Sequence, residues 1–513
     1  MEVDKQLSSD ELDKDCSILL ELAESDPLFD KKKKLLQDNG FHSKEQIRIK
    51  RSSDPSWLST TLKVMVRIAR IIKLDEVELY FAGEEQLDSY SPRNELEALN
   101  SILQLVESSL SGACEMQKNV LQDLHNVIVD KICQFAENST LKTTIVEGQN
   151  SDKEKQLLQW GENNGVKTRL QINYVKGAGR GAIAREDLKV GDTALEIPTS
   201  LIICEELVQK TDMYHVLEKL EDTSSETMLL LWSMKERYNS DSQYKIYFDT
   251  LPEDFHTGLS FGISAMMSLY GTLLLDEIMQ AKEHLRAQYD KLFPALCNEH
   301  PDIFPRELYT WEQFLWACEL WYSNSMKIMF ADGKLRTCLI PIAGLLNHSI
   351  LQPNTLKFRL SRPCNAGQEC CLSYGNLSTS HLVTFYGFLP QGNNPYDVIP
   401  LDIGGAEEDS TEGSFISEWT LTWRARNPML LTKTLLPENL ENEIEILEDL
   451  LSIFNDMMDS LGDADLDDRK NTTWDVKMAV EFKVLQRGIV SSILTSCHKG
   501  LEMVKHELSK MHG

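Results

Sequence analysis

Apolar side chains recur with two different spacings along this chain, and the change from one to the other divides it. In the first 150 residues the spacing is helical: Leu58, Leu62, Met65, Ala69 and Ile72 stand at i, i+4, i+7, i+11 and i+14, on one helical face. Leu121, Leu124, Ile128, Ile132 and Phe135 repeat the pattern. No repeat period predicts a solenoid. Region 1–150 is therefore expected to be a helical N-terminal extension. Its two basic runs, 31–34 and 44–51, read as solvated helix ends, with a nuclear import signal as the alternative. The polar stretch 137–155 predicts a linker.

Beyond the linker, glycine and β-branched residues appear in short, partly apolar runs. Residues 170–175 and 193–197 read as strands, separated by the Gly-rich turn Gly177-Ala178-Gly179-Arg180-Gly181. Helical patterning returns over about 205–335, including 311–329, and strand signals follow at 338–342, 356–360 and 368–373. A β region is thus split by a helical insertion. After 415 the chain is helical again: Ile444, Leu447, Leu451, Phe454 and Met458 form one face, Met478, Phe482, Leu485, Ile489 and Ile493 another, with an acidic loop at 459–468 between them.

Composition narrows the partners. The 513 residues carry 52 Lys+Arg against 80 Asp+Glu, a formal net charge of −28. A field of that sign disfavours nucleic acid and anionic membranes and suits a basic protein. Residues 1–155 contribute −9, 156–400 −8 and 401–513 −11, so the acidity is concentrated in the flanks. No run of about 18 apolar residues predicts a membrane span. The acidic start, Met1-Glu2-Val3-Asp4, has neither a signal peptide's basic region nor a transit peptide's character, giving no support for chloroplast import. Eleven cysteines without CxxC spacing read as reduced thiols in the cytoplasm or nucleus and define no metal site.

Three short segments carry candidate chemistry. The turn 176–181 lets backbone approach a ligand, yet it lacks both the dinucleotide fingerprint and the GK[ST] of a P-loop. Asn347-His348 follows the apolar run 339–342 and offers polar groups at a chain reversal. Tyr374-Gly375 and Tyr386-Gly387 each end an apolar segment, placing phenols beside glycines, as a ligand pocket or as core tyrosines.

In this order the segments resemble the SET-domain methyltransferases, in the branch typified by Rubisco large-subunit lysine methyltransferase. The resemblance rests on Leu157-Leu158-Gln159-Trp160 with Asn164-Gly165, GRGAIAREDLKVGDTALEIP (179–198), IPIAGLLNHS (340–349) and GQECCLSYGNLSTSHLVTFYGFL (367–389), around a helical insertion. It runs from about Leu157 to Asp402 and more loosely to about 510. It implies an α+β fold: a SET domain of short strands at 155–400, split by a helical insertion at about 205–335, and a helical substrate-binding domain at 410–513. It implies S-adenosylmethionine as methyl donor, with no metal. Ala178, Gly179, Arg180, Asn347, His348 and Tyr386 would bind the donor, Tyr374 would be catalytic, and Asn324, Tyr386 and Phe388 would face substrate. The implied activity is protein-lysine N-methylation, on a histone or another protein, by a monomer. Histidine methylation of the actin type and an inactive binding adaptor are the alternatives. The family's Ser-Arg-x-Phe segment is here Ser323-Asn324-Ser325-Met326, and Asn324 cannot supply a guanidinium fork.

Overall fold

The computed structural model describes residues 16–49, 56–75, 78–79, 91–137, 143–146, 152–220, 223–347, 357–372, 374–390, 394, 396–399, 421–422, 437–462 and 472–512. Two compact units result: Met1–Ile202 with Pro341–Gly375, and Ile203–Ile340 with Asn376–Gly513.

The N-terminal part of the first unit is mostly but not wholly helical. Strands β1 (Cys16–Glu21) and β2 (Lys44–Ile49) pair antiparallel, from Cys16 opposite Ile49 to Glu21 opposite Lys44, and α1 (Phe29–Asp38) lies between them in sequence. The reading of 44–51 as a helix end is corrected here. Lys44-Glu45-Gln46-Ile47-Arg48-Ile49 brings its two isoleucines in at a period of two, and Ile49 buries beneath the hairpin. The other basic run lies in α1, where Lys32 is buried and donates to Asp26 Oδ2 at 2.7 Å and to the Ile72 carbonyl at 3.1 Å. Helices α2 (Trp57–Ile72), α3 (Pro92–Gly112) and α4 (Glu115–Glu137) close a core through Leu62, Met65, Ala69, Leu99, Ile102, Leu124 and Ile128. Ser91 caps α3 by accepting from Asn94 N at 3.0 Å, and Pro92 occupies its first turn.

The strands that follow form two small three-stranded sheets. After α5 (Asp152–Asn163) come β3 (Lys167–Thr168), β4 (Leu170–Val175), β5 (Gly179–Ala184) and β6 (Thr193–Glu196). β4 and β5 make a hairpin, and the short strand Glu369–Cys370 joins the far edge of β5, with Cys370 opposite Ala182. β6 lies between β3 and the strand Lys357–Arg359. Part of the predicted linker is ordered against β4 of the first sheet: Val146 N donates to the Tyr174 carbonyl at 2.8 Å and Lys176 N to that of Thr144 at 2.9 Å. Within the same unit, α3 meets the second sheet through Asn100, whose amide donates to the Ser361 carbonyl at 3.1 Å.

The second unit is helical apart from a few short strands. Ser224 caps α6 (Ser225–Glu236) and Thr310 caps α8 (Trp311–Asn324); α7 (Leu273–Leu292) lies between these helices in sequence. The helix expected over 311–329 stops at Asn324. Residues beyond it enter β7 (Ser325–Met329), which pairs with β8 (Leu335–Leu339) from Ser325 opposite Leu339 to Met329 opposite Leu335. Two long helices, α9 (Pro437–Leu461) and α10 (Trp474–His512), pack on each other through Leu447, Leu451, Phe454, Val490, Ile493 and Cys497. The acidic stretch predicted as a loop begins inside α9; its residues 463–468 lie outside the described residues. Among the described residues no helix is long and apolar enough to cross a membrane, and no group of three or more His, Cys, Asp or Glu stands together to hold a metal.

Candidate functional site

In the first unit, β5, the short strand Glu369–Cys370 and the segment around Asn347 meet. The turn before β5 closes with Ala178 N donating to the Val175 carbonyl at 3.2 Å. Gly179 sits at φ 74°, a left-handed conformation that favours glycine, and a Cβ there would meet nothing within 4 Å. The turn therefore offers bare backbone on an open face. Two residues on, Gly181 is needed for a different reason. A Cβ at Gly181 would run into the Glu369 carboxylate and come within 3.0 Å of Val175 Cγ2.

Asn347 joins these parts. Its amide nitrogen donates to the Arg180 carbonyl at 2.8 Å and to Glu369 Oε1 at 2.7 Å, and its backbone carbonyl accepts from Leu372 N at 2.7 Å. Both N–H bonds of the amide are used, so the side chain is fixed in orientation. Burial raises the Glu369 pKa, and the hydrogen bond from Asn347 opposes that rise. Leu346 follows a single 3₁₀ turn (Ala343–Leu345) whose preceding residue, Ile342, has φ 75°. That conformation is an outlier for a β-branched residue, and such strain is often held at functional sites. Tyr374 points back to the same segment, its hydroxyl donating to the Leu346 carbonyl at 2.9 Å. The Arg180 guanidinium faces away, toward buried Glu154, at 3.3 Å. Tyr174 reaches the same Glu154 oxygen at 3.3 Å, and its pKa is raised by burial first and by Glu154 next.

Of the residues picked from sequence, Ala178, Gly179, Arg180, Asn347 and Tyr374 thus belong to one unit and one network. His348 lies outside the described residues. Asn324, Tyr386 and Phe388 belong to the second unit. There, residues Leu382–Tyr386 wind as a π-helix that ends at Gly387, φ 73°, where a Cβ would run into the His256 carbonyl. Phe385 stacks edge-on against Tyr322 at 5.4 Å, and burial raises the Tyr386 hydroxyl pKa. Asn324 ends α8 with its amide donating to Ser323 Oγ at 2.7 Å, a local contact. Lys327, in β7, lies with Glu205, Glu226 and Arg336 along a cavity of about 260 Å³.

Sequence reading missed three carboxylates: Glu154, Glu369 and Glu319. Glu319 is buried in α8 and its Oε1 accepts from Thr257 Oγ1 and Ser260 Oγ, each at 2.6 Å. Burial pushes its pKa up to about 7 against the pull of those two hydroxyls. A single acid inside the apolar run Phe314-Leu315-Trp316-Ala317-Cys318-Glu319-Leu320-Trp321 was the signal available for it.

Short strands meet at a fixed asparagine beside a Gly-rich turn, with a helical insertion in the chain between them, the arrangement the SET-domain resemblance implies. Comparison with known proteins agrees. Residues 23–124 match the family model described as Rubisco LSMT substrate-binding. An actin-histidine N-methyltransferase of Rhinolophus ferrumequinum is 22% identical over 351 residues, 66% of this chain and 58% of that protein. The chloroplastic ribulose-1,5 bisphosphate carboxylase/oxygenase large subunit N-methyltransferase of Nicotiana tabacum is 24% identical over 277 residues, 50% of this chain and 55% of that one. The structure of Rubisco LSMT bound to sinefungin and monomethyllysine superimposes with a TM-score of 0.55 at 19% identity, over 70% of this chain and 94% of that chain. This chain spans less than two thirds of the length of the curated relatives it matches. Together these matches show the fold of the LSMT SET domain and likeness to protein methyltransferases of that branch. The substrate-binding model falls at 23–124, in the N-terminal region that sequence reading left outside the resemblance, and not on 410–513.

Proposed function

We propose that this chain is an S-adenosylmethionine-dependent methyltransferase acting on a lysine side chain of a protein. The observation that carries the reading is the Asn347 staple, which fixes the Arg180 carbonyl, the Glu369 carboxylate and the Tyr374-bearing segment about one turn. The residues present fit the donor. The bare backbone of Ala178, Gly179 and Arg180 can follow a polar chain closely, and Asn347 holds that backbone in place. When bound, the donor supplies an electrophilic methyl group.

The protein's own part is positional. A lysine must present a neutral nitrogen, and desolvation in an apolar channel lowers an amine pKa without any protein base. Alignment of such a nucleophile is worth about 7–11 kcal/mol. Tyr374, whose hydroxyl donates to the Leu346 carbonyl, is assigned the task of orienting the amine, and Tyr386 and Phe388 are assigned to the acceptor side on the strength of their motif. The family-model match leads us to give the N-terminal helical region, 23–124, the task of holding the substrate protein. The helices of 410–513, with an excess of 11 negative charges over 401–513, stand as a second docking surface for a basic segment. We place the work in the cytoplasm or nucleus, in keeping with eleven free cysteines, and on a monomer.

Histidine is the second reading for the acceptor. The match to actin-histidine N-methyltransferases covers more of this chain than the match to the Nicotiana enzyme, and imidazole is largely neutral near pH 7. Calorimetry with the donor is expected to show binding that Asn347→Ala abolishes; no binding to the native chain would refute the enzyme reading and leave an adaptor. Radiolabelled methyl transfer into cell extract, with mass spectrometry of the labelled residue, decides lysine against histidine.

A further inference from the structure

Three thiols gather beside the Asn347 network in the first unit. Cys364 and Cys370 are both buried, and Cys371 is partly exposed. The Cys370 thiol donates to Cys364 Sγ across 3.2 Å, so closing by about 1.2 Å would reach a disulfide length of about 2.05 Å. Each backbone is anchored separately. Cys364 exchanges both hydrogen bonds with Leu188, at 2.8 and 2.9 Å, while Cys370 pairs with Ala182 of β5. Between them the chain makes a tight turn, with Gln368 N donating to the Asn365 carbonyl at 3.0 Å.

The two sulfurs are chemically unequal. The hydrogen bond from Cys370 lowers the Cys364 pKa, with Arg362 assisting and burial opposing. The Cys370 thiol is pushed well above its usual range by the same contact and by burial. Cys364 is thus the more acidic sulfur of the pair and is assigned the attack, with Cys370 as the resolving thiol. Oxidation would be felt at the turn, because Cys370 directly follows Glu369, whose carboxylate accepts from Asn347 and packs against Gly181.

We propose that Cys364 and Cys370 form a peroxide-oxidisable pair whose disulfide weakens donor binding through Glu369 and Asn347. The chemistry balances with hydrogen peroxide as the oxidant. The Cys364 thiolate attacks one peroxide oxygen, breaking the O–O bond and releasing water after proton uptake, to leave a sulfenic acid. The Cys370 sulfur then displaces the sulfenic oxygen as a second water, forming the S–S bond, so that two thiols and one peroxide give one disulfide and two waters. The effect on donor affinity rests on the donor site proposed above; formation of the disulfide does not.

The test uses the full-length chain, reduced and then treated with hydrogen peroxide. Alkylation, digestion and mass spectrometry should show a loss of two hydrogens across the segment holding Cys364 and Cys370, reversed by dithiothreitol. Cys371→Ser should retain it, and Cys364→Ser and Cys370→Ser should each abolish it. Donor affinity of the oxidised native chain, measured by calorimetry, should fall about fivefold or more, with no change in Cys364→Ser under the same treatment. A disulfide that requires Cys371, oxidation without any disulfide, or an unchanged donor affinity in the disulfide form would overturn the proposal. If the reduced chain binds no donor, the donor site and the coupling both fall, while the mass readout still judges the thiol pair.

Discussion

Glu319→Gln isolates the energetic effect of one buried carboxylate. The Glu319 carboxyl holds its proton up to about pH 7, against a usual value near 4.5. The groups facing it are the Thr257 and Ser260 hydroxyls, Asp254, which raises its pKa, and Lys282, which lowers it. Between pH 4.5 and 7 the folded protein keeps a proton that the unfolded chain has lost, so stability falls as pH rises through that window and levels off above it. At 1.36 kcal/mol per pH unit the full cost above pH 7 is about 3 kcal/mol. Glutamine keeps an oxygen for Thr257 and Ser260 but cannot ionise. Urea unfolding followed by fluorescence of Trp316 and Trp321, on the same helix, should show the variant about 2–3 kcal/mol more stable than the native chain at pH 8. The difference should shrink toward zero at pH 4.5. Glu277 and Asp397, also raised by burial, affect both proteins alike and cancel in that difference. Equal stability of the two proteins at pH 8 would refute the account, because Glu319 would then ionise without cost.

Three further outcomes follow from the geometry. Tyr374→Phe should cost about 1 kcal/mol of stability through the lost bond to Leu346, keep donor affinity in calorimetry and lose most methyl transfer; full turnover would remove Tyr374 from the catalytic role. Gly181→Ala should force Glu369 off Asn347, destabilising by about 1–3 kcal/mol in thermal unfolding and weakening donor binding, whereas native donor affinity would show that the Glu369 contact is dispensable. Gln486→Leu should stabilise by about 1–2 kcal/mol in denaturant unfolding, since the buried Gln486 Oε1 has no hydrogen-bond partner among the described residues; a loss would mean that oxygen is satisfied.

What could be read from the sequence depended on whether the signal was local. The helical faces around Leu62 and Ile128 are buried as their spacing indicated, because a periodic stripe is a property of one segment. β4 was legible to the residue because its run ends at a glycine turn. The β1–β2 hairpin was not, since 44–49 carries three charges that masked a strand period, and its partner lies 23 to 33 residues away. The end of α8 was misplaced because Met326 and Ile328 continue an apolar texture, while the strand they enter is set by pairing with Cys338 and Arg336 across the hairpin. The same distinction governs the site. Gly179, Asn347 and Tyr374 were singled out because each sits in a recognisable short motif. Glu369, Glu154 and Glu319 escaped because a carboxylate in sequence looks solvated. Only the fold brings Asn347 to Glu369, Arg180 to Glu154, and Thr257 with Ser260 to Glu319. Glu154 and Glu319 are buried and Glu369 is half-buried, and each meets a donor from a distant segment, so they bind together pieces that the motifs name separately. Motif residues name the segments, and the carboxylates tie those segments together. Substitution of Glu369 by a residue that cannot accept from Asn347 should therefore disturb geometry before it disturbs any proton transfer.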